Sequence, residues 1–279
     1  MRTLTAVAGL AAALFCQPSF AQDASADQAF DGDRLTVGVG AVYMPSYRGS
    51  DDYTVSAFPV VQGQVKGIDI NPRAGGVALD FIPDDRDSGF GVSLGPVVTY
   101  SGNRKRGIKD DVVRAAGKLD DAVELGGTAG VTAYKLINPY DSLTLSADVR
   151  WDVAGAYKGM IWTPSLTYMT PLSRGSVVAL NVGARHVDDD YARYYYDVTP
   201  GQSLASGLPV YGAKGGWESV NVGLFGGLDL DGDLINGGFA VFGAAAYTKL
   251  LNDAKDTPYT SIRGDSDQWI AGLGLAYTF

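Results

Sequence analysis

From Trp269 to the last residue, Trp269, Ala271, Leu273, Leu275, Tyr277 and Phe279 fall on one parity, and Ile270, Gly272, Gly274, Ala276 and Thr278 on the other. A period of two is the side-chain period of a β-strand, so this segment predicts a strand with one apolar, aromatic-ended face and one small face. Leu143, Leu145, Ala147, Val149, Trp151 and Val153 repeat the pattern, with Thr144, Ser146, Asp148, Arg150 and Asp152 opposite. A soluble sandwich would turn that charged parity to water, so this strand by itself does not separate a sandwich from a barrel. Ten further strands are predicted at Leu35 to Tyr43, Thr54 to Val65, Gly67 to Pro72, Gly75 to Ile82, Gly89 to Tyr100, Val123 to Ile137, Met160 to Leu172, Ser176 to Val187, Trp217 to Leu230 and Ile235 to Leu251.

The connections decide. Pro83 to Ser88, Asn138 to Asp141, Ser173 to Gly175 and Asp231 to Asp233 are short, whereas Ser101 to Ala122, Asp188 to Gly216 and Asn252 to Ser266 are long. Short turns at one end, long loops at the other and aromatic-ended apolar faces predict an all-β fold. It is a single antiparallel transmembrane β-barrel of about twelve strands, with periplasmic turns and extracellular loops. An even strand count puts both termini on the periplasmic side. Tyr277 and Phe279 close the last strand as a barrel-assembly signal.

The first residues change the picture of the N-terminus. Arg2, an apolar run from Leu4 to Phe15 and then Ser19-Phe20-Ala21 read as a secretion signal cut after Ala21. A lipid anchor at Cys16 is the competing reading, but Phe15 stands where a small residue is needed. Residues 1–21 are therefore expected to be removed, 22–33 to form a short periplasmic segment, and 34–279 the barrel. Cys16 is the only cysteine, so no disulfide framework is available. Beyond the signal no apolar run is long enough for a helical span. Mean hydropathy is +0.02, as alternation produces. The 31 acidic residues outnumber 22 basic ones, for a net charge of −9, which argues against a nucleic-acid partner.

Candidate chemistry sits on the parity opposite the apolar one. Asp69, Asp80, Glu124, Asp148, Arg150, Asp152, Arg185 and Asp229 are expected to line the lumen, either as cross-strand ion pairs that plug it or as a charged pore. Gly38, Gly40, Gly91, Gly95, Gly223, Gly227, Gly272 and Gly274 keep parts of that face open, while Phe225 and Phe242 point inward. His186, the only histidine, falls on the lipid-facing parity near the outer rim. No serine is placed by sequence to join it as a lipid-cleaving set, so no catalytic residue is expected. Asp188-Asp189-Asp190-Tyr191 and Tyr194-Tyr195-Tyr196 read as an acidic rim with an aromatic girdle rather than a calcium loop, since no glycine-centred loop accompanies them. No metal or cofactor is implied. Arg104, Lys105, Arg106 and Lys109 form a basic cluster in a long loop, where they could meet lipopolysaccharide phosphates.

Gly40 to Tyr53 reads Gly-Ala-Val-Tyr-Met-Pro-Ser-Tyr-Arg-Gly-Ser-Asp-Asp-Tyr, followed by Phe58-Pro59. With Gly95-Pro96, Tyr100, Asn103-Arg104, Glu124-Leu125-Gly126 and Ser206-Gly207-Leu208-Pro209-Val210-Tyr211, this resembles the MltA-interacting protein family, also called MipA/OmpV. The C-terminal block is the fullest match: Tyr247, Leu250-Leu251, Asp253-Ala254, Pro258, Gly264, Gln268, Gly272-Leu273-Gly274, Tyr277 and Phe279. Asn252 stands where that pattern has glycine. The resemblance implies a non-enzymatic outer-membrane protein acting as a scaffold in peptidoglycan synthesis. Its partners would be outer-membrane lipids, a lytic transglycosylase and a bifunctional murein synthase, reached through the periplasmic turns and residues 22–33. The alternative is a porin-like channel for small solutes; an outer-membrane lipid-modifying enzyme is the third reading.

Overall fold

The computed structural model describes residues 33–83, 86–105 and 107–279. The signal segment expected at 1–21 and residues 22–32 lie outside them. Twelve antiparallel strands make up the wall. They are β1 (Arg34–Pro45), β2 (Tyr53–Val65), β3 (Ile68–Arg73), β4 (Gly76–Asp80), β5 (Phe90–Ser101), β6 (Ala122–Tyr134), β7 (Ser142–Asp152), β8 (Met160–Ser173), β9 (Ser176–Val187), β10 (Gly216–Asp229), β11 (Gly238–Leu250) and β12 (Asp267–Thr278). Each pairs with its neighbours in sequence, and β12 returns to β1 to close the barrel. Phe279 takes part in the closure, its N–H donating to the Leu35 carbonyl at 2.9 Å. Closure leaves no open sheet edge at the ends of the chain, which hydrocarbon demands because it offers the backbone no other partner.

All twelve predicted strands are present, and two of the boundary differences have a plain local origin. β6 stops at Tyr134 rather than Ile137 because Lys135 adopts φ 58 and the Asp141 carboxylate collects the N–H groups of Leu136 and Ile137. β11 starts at Gly238 rather than Ile235, after Gly237 and Gly238 at positive φ. β3 and β4 are much shorter than the rest. The β2–β3 connection is Lys66-Gly67, at φ 54 and 77, the pair of left-handed residues that matches a hairpin's twist.

Val39, Leu224, Leu273 and Leu275 face outward and are exposed, forming the apolar band. Aromatic contacts gather at its two ends. At the loop end Tyr43 stacks on Tyr53, while Tyr247 meets Trp269 and Trp162 meets Trp217 at tilted angles. At the turn end Phe239, Tyr277 and Phe279 touch in sequence. His186 is outward-facing as expected, its ring 5.7 Å from Trp162 and 5.4 Å from Trp217.

The long loops are not loose. They hold five helices: α1 (Asp111–Ala115), α2 (Asp189–Tyr196), α3 (Pro200–Ser206), α4 (Asn252–Asp256) and α5 (Pro258–Ser261). Side chains cap three of them: Asp110 accepts from the N–H of Val113, Asp188 from that of Tyr191, and Thr199 from that of Gln202. One buried cluster joins Tyr191, Tyr195, Tyr196 and Ala192 of α2 to Tyr157, Ile161, Val187, Leu250 and Ala254. A second joins Tyr47, Ile108, Val113, Val198, Leu208 and Tyr259. These clusters make the loop end a packed lid. Tyr191, Tyr195 and Tyr196 belong to its core, which corrects the expectation of an aromatic girdle there: a helix at Asp189 puts positions 191 and 195 on one face and turns it inward.

Candidate functional site

Beneath the lid a polar network crosses the lumen. Glu218 of β10 is buried at 2 % exposure and takes Arg48 Nη1 at 3.0 Å, Arg185 Nε at 3.3 Å and the hydroxyl of Tyr196. Glu124 of β6 accepts from Thr99 Oγ1 at 2.7 Å and Tyr157 Oη at 3.1 Å, with Arg150 Nε at 3.5 Å and Arg185 Nη2 at 4.0 Å. Arg185 therefore spans the two carboxylates, lies over the Tyr191 ring at 5.1 Å and donates to its hydroxyl at 3.2 Å. Burial pushes the Tyr191 and Tyr196 phenols above their ordinary range, so they stay neutral donors. Burial opposes the charge on Arg48, but Glu218 outweighs it and raises that guanidinium.

Of the eight predicted lumen charges, the structure brings Glu124, Arg150 and Arg185 into this network. Asp148 lies deeper and is held by Arg73, which reaches across from β3 with Nε at 2.7 Å and Nη2 at 3.2 Å. The other four hold backbone or stand in a ladder. Asp80 accepts from the N–H of Ile82 and Leu94, Asp229 from those of Asp231 and Gly232, and Asp152 from those of Ala154 to Lys158 other than Ala156. Asp69 faces Asp80 across the β3–β4 ladder.

Sequence parity missed Glu218. Counting back from Phe225 and Asp229 puts residue 218 on the lipid face, but a register shift between Trp217 and Ser219 inserts one residue and turns Glu218 inward. Some of the glycines expected to open the lumen, Gly38, Gly40 and Gly274, face space that aromatic rings already fill. A β-carbon at Gly40 would stand 2.7 Å from Phe58 Cε1, and one at Gly38 3.0 Å from Phe242 Cε1. Phe58 and Phe242 meet edge to face at 5.9 Å, with Phe225 beside them.

The basic loop cluster does not form one surface. Arg104 is 2 % exposed, stacked 3.8 Å over the Tyr259 ring and donating to the Tyr195 carbonyl. Lys105 pairs with Asp121, Lys109 donates to the Tyr53 carbonyl, and Arg106 lies outside the described residues. The predicted acidic rim is likewise structural: Asp188 caps α2, Asp189 accepts from Gly215 N–H and Asp190 pairs with Arg193. Among the described residues no group of three or more His, Asp or Glu is placed to hold a metal ion.

At the opposite end, the turn from Lys135 to Asp141 is held rigidly. The Asp141 carboxylate accepts from the N–H groups of Leu136, Ile137 and Asn138 and from Tyr168 Oη. Lys135 Nζ reaches Asp87 at 2.8 Å, tying this turn to the β4–β5 turn that carries Phe81 and Ile82. Ile137 stands 81 % exposed on it, with Leu136 and Phe81 also exposed.

A family model described as MltA-interacting protein MipA matches residues 37–279. No curated protein sequence matches the chain. Among solved structures, the COG4313 outer membrane channel from Pseudomonas putida F1 shares 12% identity at a TM-score of 0.42, covering 89% of this chain and 96% of that one. The translocator domain of the autotransporter NalP from Neisseria meningitidis shares 10% identity at 0.38, covering 89% of each.

Proposed function

Since the chain belongs to the MltA-interacting protein MipA family, we propose that it is a non-catalytic outer-membrane adaptor whose turn end faces the periplasm and holds a lytic transglycosylase. A bifunctional murein synthase is the second partner in this reading. The observation that carries it is the Lys135–Asp141 turn. An apolar side chain at 81 % exposure in a turn is unsupported by its own fold, and here three backbone N–H groups of the turn are held by one carboxylate that the Tyr168 hydroxyl also anchors. A rigid apolar knob loses little conformational entropy on docking, which is what a binding surface needs. The lid at the other end speaks against the porin-like alternative, because the axial exit is packed with buried tyrosines.

The test is direct binding of the purified barrel to a purified transglycosylase of the MltA type, measured by biolayer interferometry. Replacing Ile137 with Asp should weaken binding by about tenfold or more, as loss of a central apolar anchor does. Undiminished binding by the folded I137D variant would remove the turn from the interface, and no binding by the parent would remove the adaptor reading.

A further inference from the structure

Below the network under the lid, the lumen has two unlike sides. From β7 to β10 a belt of uncharged polar side chains runs across four strands. Ser146 Oγ meets Ser165 Oγ at 3.0 Å, Asn181 Nδ2 donates to Thr167 Oγ1 at 2.8 Å, and Asn221 Nδ2 donates to Asn181 Oδ1 at 3.2 Å. All five side chains are half-buried. Two hydroxyls that share one proton keep a second donor and further lone pairs, so the belt still offers hydrogen bonds to the lumen. Asp148, next to Ser146 on the same face of β7, is charged, but Arg73 already holds it with two bonds.

From β10 round through β1 to β2 the lumen is aromatic instead. Phe58 of β2 meets Phe242 of β11 at 5.9 Å, and Phe225 of β10 lies 6.4 Å from Phe242. Because Gly38 and Gly40 carry no side chain, the Phe242 and Phe58 rings lie close over the backbone of β1. Phe58 and Phe225 each keep a part-exposed face. Space remains between the two sides: Ala244, on the inward parity of Phe242, is exposed, and a β-carbon at Gly223 would meet nothing closer than 3.7 Å. Both buried clusters sit at the loop end, whereas Gln62 and Asn71, inward-facing toward the turns, are exposed. The lumen is therefore a cup, closed by the lid and reached from the turn end.

We propose that this cup binds a neutral pyranose sugar. Such a ring carries hydroxyls round its edge and a flat face of C–H groups. The belt supplies donors and acceptors for the edge, and Phe58 and Phe225 offer the C–H face aromatic surface, whose negative quadrupole face attracts it. Because the belt is uncharged, an ion would lose its water there without gaining a counter-charge. A wholly apolar solute would displace water from the belt and leave its hydroxyls and amides unpaired. The site shares no residue with the Ile137 turn, so it stands or falls independently of the adaptor reading.

Saturation-transfer difference NMR of the full mature barrel in lauryldimethylamine oxide, a detergent without a sugar head, tests this with glucose against sorbitol. Sorbitol is the same carbon chain reduced and open, so it keeps the hydroxyls and lacks the flat C–H face. Transfer to the glucose ring protons should saturate with a Kd on the order of 1 mM, the scale for so small a ligand. Sorbitol should bind about fivefold more weakly. Phe225→Ala should weaken glucose binding about fivefold, and so should Asn181→Ala, each the scale of one lost contact of its kind. Ser165→Ala reads the belt if Asn181→Ala does not fold. All variants are scored only as heat-modifiable, folded barrels, and Leu224→Ala, outward on the same strand as Phe225, should leave the Kd unchanged. No transfer to glucose overturns the proposal. So does equal binding of sorbitol, or a Kd for glucose that survives both Phe225→Ala and the belt variant.

Discussion

Arg185 of β9 holds Glu218 of β10 at 3.3 Å beneath the lid, and Glu218 in turn holds Arg48 of the first loop at 3.0 Å. One carboxylate thus fastens a loop to the wall. Glu218→Gln leaves the Arg48 guanidinium without its carboxylate and Arg185 with only the more distant Glu124 at 4.0 Å. Because both arginines keep some solvent access, the loss should be about 2–3 kcal/mol, below the range for a fully buried broken pair. Urea unfolding in micelles reads the midpoint, and protease cleavage between residues 102 and 121 should rise with it. A midpoint equal to the parent's would show that the network is not what fastens the lid.

The Asp141 turn carries a pH dependence with a definite sign. Burial pushes its carboxyl up, but the bonds from Tyr168 Oη and from the Ile137, Leu136 and Asn138 N–H groups outweigh this and hold it below the ordinary carboxylate value. A carboxylate depressed in the folded state stabilises above its unfolded pKa, and that contribution is lost as pH falls through the folded value. Amide exchange at Leu136, Ile137 and Asn138, corrected for its intrinsic rate, should therefore be slow at neutral pH and accelerate only below the normal carboxylate range. Asp141→Asn should show fast exchange there at every pH, with the barrel intact.

How much of this was legible in the sequence follows from which forces act along one strand and which act between distant ones. Alternation at Leu143 to Val153 and Trp269 to Phe279 reports the lipid-facing parity directly, because every second residue meets hydrocarbon. The lid was not legible: Tyr191 and Tyr195 are buried by Tyr157, Leu250 and Ala254, which lie far off in sequence and leave no periodic mark. Glu218 was lost to a single bulge that inverts parity. Asn252 was a readable departure from the family pattern, and the structure gives its cause. Its φ is 46, a left-handed conformation that glycine adopts freely and asparagine tolerates best among the others, and its Nδ2 donates to the Trp217 carbonyl.

That last position makes a prediction of its own. Asn252→Gly relieves the backbone and removes one partly exposed hydrogen bond, so the two effects offset to within about 0.5 kcal/mol. Asn252→Val keeps neither advantage and should lower the unfolding free energy by about 1–2 kcal/mol, since a β-branched residue at positive φ is strained. Equal stability of all three would mean the α4 entry relaxes to another conformation.

Gly40 is the sharper case, because its missing side chain is occupied space. A β-carbon there would stand 2.7 Å from the Leu273 carbonyl oxygen and from Phe58 Cε1, and the Phe58 ring is itself held by Phe242. Gly40→Val should cost about 1–3 kcal/mol as overpacking does. Combining it with Phe58→Ala should restore part of that loss by returning the volume, whereas Phe225→Ala, one ring removed, should not.

Conduction is decided by the lid rather than by the lumen charges. Arg185, Arg150 and Glu124 line a polar interior, but the route past them ends at Tyr191, Tyr195 and Tyr196, each no more than 2 % exposed, packed on Tyr157 and Ile161. Water and ions need a continuous path, and packed aromatic rings leave none without moving the helix that carries them. Purified barrel in a planar bilayer should therefore show no steady open level. Replacing Tyr191 and Tyr195 together with Ala removes two rings from the plug and leaves the wall strands untouched, so discrete openings should follow. Steady conductance from the parent protein would mean the lid stands open in a membrane and would return weight to the channel reading. Silence from the double variant would place the block deeper, at the Phe58, Phe225 and Phe242 rings, where Phe58→Ala is the next substitution to record.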